Sequence, residues 1–125
     1  MTNRERRRYP RVPNNLGAYV TIADESFPAK ARDVAPSGIR LECSDAIQER
    51  LARLRTLSGE YPMIELLFSL PGDDTPVAAD CAVNYLRSSA GGAHLLGLLF
   101  RDVSPIDEAR LSRYFERNDP RKKIS

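Results

Sequence analysis

Hydrophobic and polar positions alternate along most of this chain, and where the alternation stops the period lengthens. In "AYVTI", Ala18, Val20 and Ile22 share one face and Tyr19 and Thr21 the other, the two-residue period of a half-buried strand. A second strand is expected over Phe27 to Val34. "APSG" interrupts it, and "IRLEC" resumes the pattern with Ile39, Leu41 and Cys43 inward against Arg40 and Glu42. The segment "SDAIQERLARLRTLSGE" then turns helical: Ile47, Leu51, Leu54 and Leu57 recur behind a capping pair, Asp45 and Gln48, which predicts an amphipathic helix over 45–57 that ends near Gly59. Strand patterning returns in "MIELLFSL", "VAADCAVNYL" and "AHLLGLLF", separated by the turn-rich "PGDDTP" and "SSAGG". The last element, "SPIDEARLSRYFER", has Ser104 as N-cap and Pro105 at the first helical position. Asp107 and Glu108 fall in the first turn, and Leu111, Tyr114 and Phe115 form an apolar stripe.

Six short strands with turn signals between them predict a mainly β fold, a small antiparallel barrel or sandwich, because closing the sheet removes its exposed edges. The inserted helix interrupts it and the C-terminal helix covers one opening or flank. A length of 125 residues suits one domain. Residues 1–16 read as a flexible arginine-rich arm, with Pro10 and Pro13 limiting regular structure. Residues 17–118 read as the folded unit and 119–125 as a basic tail.

Composition narrows the function by exclusion. With 42% hydrophobic and 29% charged residues the chain resembles an ordinary soluble domain, and no apolar run approaches the roughly 20 residues of a membrane span. No signal peptide or lipidation motif is visible, so a cytoplasmic protein without membrane insertion is expected. Cys43, Cys81 and a lone His94 lack metal-site spacing; the thiols read as buried apolar groups and the histidine as structural or solvated. No phosphate loop and no Ser–His or Cys–His motif occurs. The expectation is therefore a binding protein with no catalytic residues, no metal and no cofactor.

A net charge of +2 is too small to make the whole domain a polyanion binder, so its distribution matters. "RERRRYPRV" sets Arg4, Arg6, Arg7, Arg8 and Arg11 against a single Glu5. An arginine fork binds phosphate, pairs with the O6 and N7 edge of guanine and stacks on a base, so a guanine nucleotide satisfies all three modes. Taken alone, the run reads equally as a solvated basic tail. In "RDVAPSGIRL", Asp33 can accept from a guanine N1 and N2 edge or orient an arginine, and Gly38 allows close backbone approach to a ligand. Taken alone, this is a plain β-turn. A second "DVSP" at 102–105 lacks the glycine and reads as a helix N-cap. Aromatic residues are 7% and no strand face interleaves them with basic side chains, which argues against nucleic acid as partner.

The order "RRYPR" (Arg7 to Arg11), then "DVAPSG" (Asp33 to Gly38), then "GLLF" (Gly97 to Phe100) before a last helix resembles the PilZ domain family of bacterial cyclic-di-GMP receptors. The resemblance covers most of the chain. It implies a six-stranded antiparallel barrel with a C-terminal helix, and cyclic-di-GMP as ligand. Arg7 and Arg11 match the two arginines of the family's RxxxR arm, Asp33 its acidic or amide position and Gly38 its glycine. Arg6 extends the arm to RRxxxR, the form associated with an intercalated pair of nucleotides. Arg8 and Ser37 are possible accessory contacts. The departure is Ala35, where the family places serine. The lost hydroxyl is worth about 0.5–1.5 kcal/mol, up to about tenfold in affinity. The resemblance to single-domain members implies an adaptor, a monomer or weak dimer, that passes the second-messenger signal to a separate effector protein as the arm orders on ligand. The alternative is a degenerate module that binds protein but no nucleotide.

Overall fold

Alternating side chains pair off across neighbouring strands so that one face of every strand meets in a single interior. The computed structural model describes residues 12–13, 16–88 and 93–119. Its elements are β1 (Val12–Pro13), β2 (Gly17–Ile22), β3 (Glu25–Ala35), β4 (Gly38–Cys43), α1 (Asp45–Leu54), β5 (Ile64–Phe68), β6 (Val77–Ser88), β7 (His94–Val103) and α2 (Pro105–Arg117). The hydrogen-bonded order is β1-β3-β2-β5-β6-β7-β4, and β4 pairs in turn with β3. Strands β2 to β7 therefore close on themselves as a six-stranded antiparallel barrel, one of the two forms, barrel or sandwich, that the patterning allows and the one the family resemblance implies, and β1 adds to β3 beyond the end of β2. Closure leaves these six strands without the unpaired edges that invite aggregation.

Val20, Ile22, Ile39, Leu41, Ile64, Leu66 and Leu98 fill the interior, with Phe68 stacked on Phe100 at 5.9 Å between centroids. Cys43 and Cys81 lie in the same core. Burial pushes their thiols up to about 11 and about 12, so they pack as neutral apolar groups. Helix α1 contributes Ile47 and Leu51, both fully buried. It is shorter than its periodicity suggests: it ends at Leu54, and Leu57 is exposed. The cause is local. Thr56 N–H donates to the Glu60 carbonyl (2.8 Å) and Gly59 N–H to the Thr56 carbonyl (2.9 Å), and Gly59 takes φ +89°, so a hydrogen-bonded loop competes with another helical turn. Ser44, not Asp45, occupies the N-cap, without a side-chain cap bond. The Asp45 carboxylate instead meets His94 Nε2 at 2.6 Å, while His94 Nδ1 lies 3.2 Å from Ser88 Oγ. The lone histidine thus ties the start of α1 to the start of β7.

Helix α2 starts as its sequence dictates, with Ser104 Oγ accepting from Asp107 N–H (3.2 Å). It buries Leu111, Tyr114 and Phe115 against the barrel. Arg110 anchors it to the β5–β6 connection. Its guanidinium donates to Asp73 Oδ2 (2.7 and 3.2 Å), Asp107 Oδ1 (2.8 Å) and the carbonyls of Thr75 and Pro76. That contact holds the Asp73 carboxyl below the usual carboxylate range.

Two outcomes follow for stability. Leu51→Ala should cost about 2–5 kcal/mol in denaturant unfolding, since it opens a cavity at a fully buried site. The folded-state pKa of Asp73 lies below its unfolded value, so its ion pair stabilises at neutral pH and is lost as pH falls. The melting temperature of wild type should exceed that of Asp73→Asn near pH 7, and the gap should shrink progressively below about pH 4.

Candidate functional site

A strictly alternating β3 would turn Asp33 inward with Ala31, two residues before it. The structure avoids that outcome with a bulge. Ala31 pairs with Leu41, Asp33 with Arg40 and Val34 with Ile39, so Arg32 and Asp33 together oppose Arg40. Ala31, Val34, Ile39 and Leu41 remain in the core, and Asp33 faces Arg40 across the ladder. Arg40 Nε donates to both Asp33 oxygens (3.0 and 2.8 Å) and its Nη2 donates to Oδ2. Asp33 is 8% exposed, and the ion pair stabilises its charge there.

The same row of the ladder continues around the barrel. Arg40 pairs with Gly97, and Gly97 with Tyr85. A second bulge, at Asn84 in β6, keeps Val83 opposite Leu98 and brings Tyr85 opposite the glycine. A side chain at 97 would collide with the Tyr85 ring, 2.3 Å from an added Cβ, so the ring lies across the space that glycine leaves. Arg87 stacks on that ring at 4.6 Å, and Tyr85 with Asp33 raises the Arg40 pKa, the Asp33 hydrogen bond contributing most. The result is a carboxylate, two guanidinium groups and an aromatic face on neighbouring strands. Such a set can hold a planar base and an anion together.

On the opposite edge of β3 from Arg40, β1 pairs Val12 with Val34 and Pro13 with Asp33. The chain therefore enters the barrel beside the carboxylate, and the residue preceding Val12 in sequence is Arg11. Arg6, Arg7, Arg8 and Arg11 themselves lie outside the described residues. Ala35 ends β3 and is buried, while Ser37 is exposed in the two-residue turn and its carbonyl accepts from Phe100 N–H (2.9 Å). The two positions have different surroundings, which gives no support to Ser37 as a stand-in for the missing hydroxyl. Gly38 has a structural reason of its own: an added Cβ would sit 2.0 Å from the Leu98 carbonyl oxygen, so the close approach it permits is that of β7.

Sequence reasoning missed Arg40, Tyr85 and Arg87. Arg40 appears there only as an outward strand residue, and the two bulges that align the row leave no local sequence signal. Among the described residues, no group of three or more histidine, cysteine or carboxylate side chains is arranged to hold a metal ion.

A family model for the PilZ domain matches residues 5–117. The comparison with curated proteins returned no match. Among solved structures, the PilZ domain of Escherichia coli YcgR with c-di-GMP superimposes with TM-score 0.61 at 17% identity, over 90% of this chain and 93% of that one. The Bacillus subtilis inhibitor of motility MotI/DgrA gives TM-score 0.68 at 18% identity, over 90% of this chain and 51% of that one. Borreliella burgdorferi PlzA in complex with c-di-GMP gives 0.56 at 13%, over 94% and 58%. The chain thus spans about half the length of MotI/DgrA and PlzA. These likenesses establish a shared fold.

The Tyr85–Gly97 contact is testable by a double-mutant cycle. Gly97→Ala should destabilise by about 1–3 kcal/mol through overpacking, and the same substitution in a Tyr85→Ala background should cost less than about 1 kcal/mol, read by chemical denaturation of the four proteins.

Proposed function

Because the chain belongs to the PilZ domain family, we propose that it is a cyclic-di-GMP receptor that passes its bound state to a separate protein. The observation that carries this reading is the β1–β3 pairing, which brings the entry of the arginine arm against Val34 and Asp33. In this reading Arg7 and Arg11, with Arg6 and Arg8 beside them, hold phosphates and guanine edges. Asp33 accepts from a guanine edge, oriented by Arg40. Tyr85, backed by Arg87, offers a flat face for a purine. Ala35 and Gly38 line the turn between them. Ordering the arm over the nucleotide costs conformational entropy, and the ordered arm is a surface that only the bound protein presents.

Among the described residues no helix is long and apolar enough to cross a membrane. The reading places the protein in the cytoplasm as a monomer or weak dimer, acting by binding and not by catalysis. A second reading, a PilZ module that contacts protein but no nucleotide, has one observation in its favour: Ala35 supplies no hydroxyl at the serine position of the family pattern.

Calorimetric titration with cyclic-di-GMP separates the two. Wild type is expected to bind with a Kd of about 1 µM or tighter, Arg7→Ala and Arg11→Ala each to weaken binding at least about tenfold, and Ala35→Ser to tighten it by up to about tenfold. The fitted stoichiometry tells one nucleotide from an intercalated pair. No heat from either wild type or Ala35→Ser would leave the interaction module.

A further inference from the structure

On the barrel surface centred on β5 and β6, away from the Asp33–Arg40 pair on β3 and β4, the outward side chains form two adjoining rows. One is apolar: Pro28, Tyr19, Leu67 and Ala78 are consecutive partners on β3, β2, β5 and β6, all exposed. Two residues along, Thr21, Glu65, Asp80 and Asp102 are consecutive partners on β2, β5, β6 and β7. Tyr19 is 57% exposed, Leu67 45% and Met63, two residues from Glu65 on β5's side of the loop, 54%. An open groove of about 370 Å³ lies between Ala23, Asp24, Met63, Glu65 and Asp80, and another of about 280 Å³ between Ala78, Asp80, Asp102 and Asp107.

The fold does not explain this face. Like charges directly opposite one another in a sheet destabilise it, and here three carboxylates follow one another across three strands. Arg101, the extra residue of a bulge in β7, is exposed close by in sequence, yet among the described residues no cation forms an ion pair with Glu65, Asp80 or Asp102. Nor are the three arranged as a metal site. Large apolar side chains flanked by carboxylates that no described cation pairs with suit a surface that is covered by something of the opposite sign.

We propose that the outward face of β2, β5, β6 and the end of β7 docks a protein partner through a basic segment, whose Lys or Arg side chains pair with Glu65, Asp80 and Asp102 and whose apolar residues cover Tyr19, Met63 and Leu67. The inference rests on the adaptor reading above and names the chemistry of the partner. Carboxylates repel nucleic acid and anionic lipid. An isologous second copy would set carboxylates against carboxylates. Strand addition is closed off, because β2, β5 and β6 have both edges paired. What remains is docking by side chains, with charge setting the partner and the apolar row holding it.

The test uses the full chain, isotopically labelled for NMR, without nucleotide, and a short peptide of alternating lysine and leucine as probe in about 0.1 M salt. Expected are saturable shifts confined to residues 19–21, 63–67, 78–80 and 102, at least about tenfold weaker binding by Glu65→Gln/Asp80→Asn, and none by peptides with glutamate for lysine or serine for leucine. Asp80→Asn should also raise the melting temperature, since it relieves the opposed charges. The proposal is overturned by absent or scattered shifts, by equal binding of the serine peptide, or by a lower melting temperature for Asp80→Asn. It is equally overturned by an RNA oligomer or phosphatidylserine vesicle binding this face, or by a dimer that Leu67→Ser dissolves. Cyclic-di-GMP titration of Glu65→Gln/Asp80→Asn should match wild type, so failure of the docking surface and failure of the receptor reading give different results.

Discussion

Closing six antiparallel strands into a barrel forces the strands to coil and bend, and here the register yields at three places. Arg32 in β3, Asn84 in β6 and Arg101 in β7 are each an extra residue against the partner strand. A bulge resets which residues face outward, so each one decides what the surface beyond it presents. The first turns Asp33 out to Arg40, and the second turns Tyr85 out to Gly97. Without them the interior would take up a carboxylate and a tyrosine, and the row that joins carboxylate, guanidinium and aromatic ring would not exist.

The glycines follow from the same closure. Gly38 stands where the β7 backbone passes too near for any Cβ, and Gly97 leaves the space that the Tyr85 ring fills. Neither needs an unusual φ, and both are explained by close approach within the barrel. The "DVAPSG" turn is therefore constrained by the fold even before any ligand is considered, and its conformation is set by contacts such as that between the Ser37 carbonyl and Phe100 N–H.

Charge is divided unevenly around the molecule. The site carries Arg40 in the row with Asp33, and Arg87 stacked on the Tyr85 ring, whereas β5, β6 and β7 carry Glu65, Asp80 and Asp102 in register. A net charge of +2 conceals this division. One surface sets guanidinium groups beside an aromatic face and the other sets carboxylates beside apolar side chains, and the closed sheet connects them through β6 and β7, strands that belong to both.

The amino-acid sequence by itself determined the strands and both helices, because a period of two or of 3.6 residues and turn chemistry at fixed offsets are local properties; the same pattern left the sheet as a barrel or a sandwich, and only the family resemblance pointed to the barrel. Ser104 and Pro105 at the start of α2 were legible for that reason, as were Asp33 and Gly38 at the turn, although the sequence overestimated α1 by missing the hydrogen-bonded loop at Thr56–Glu60. The tertiary structure decided which outward residues stand beside one another. Arg40, Gly97 and Tyr85 are 57 and 12 residues apart in the chain yet adjacent in one ladder row, and Glu65, Asp80 and Asp102 likewise. Register between distant strands arises from barrel closure and from bulges that cost one unpaired residue each, and neither leaves a periodic trace in the sequence.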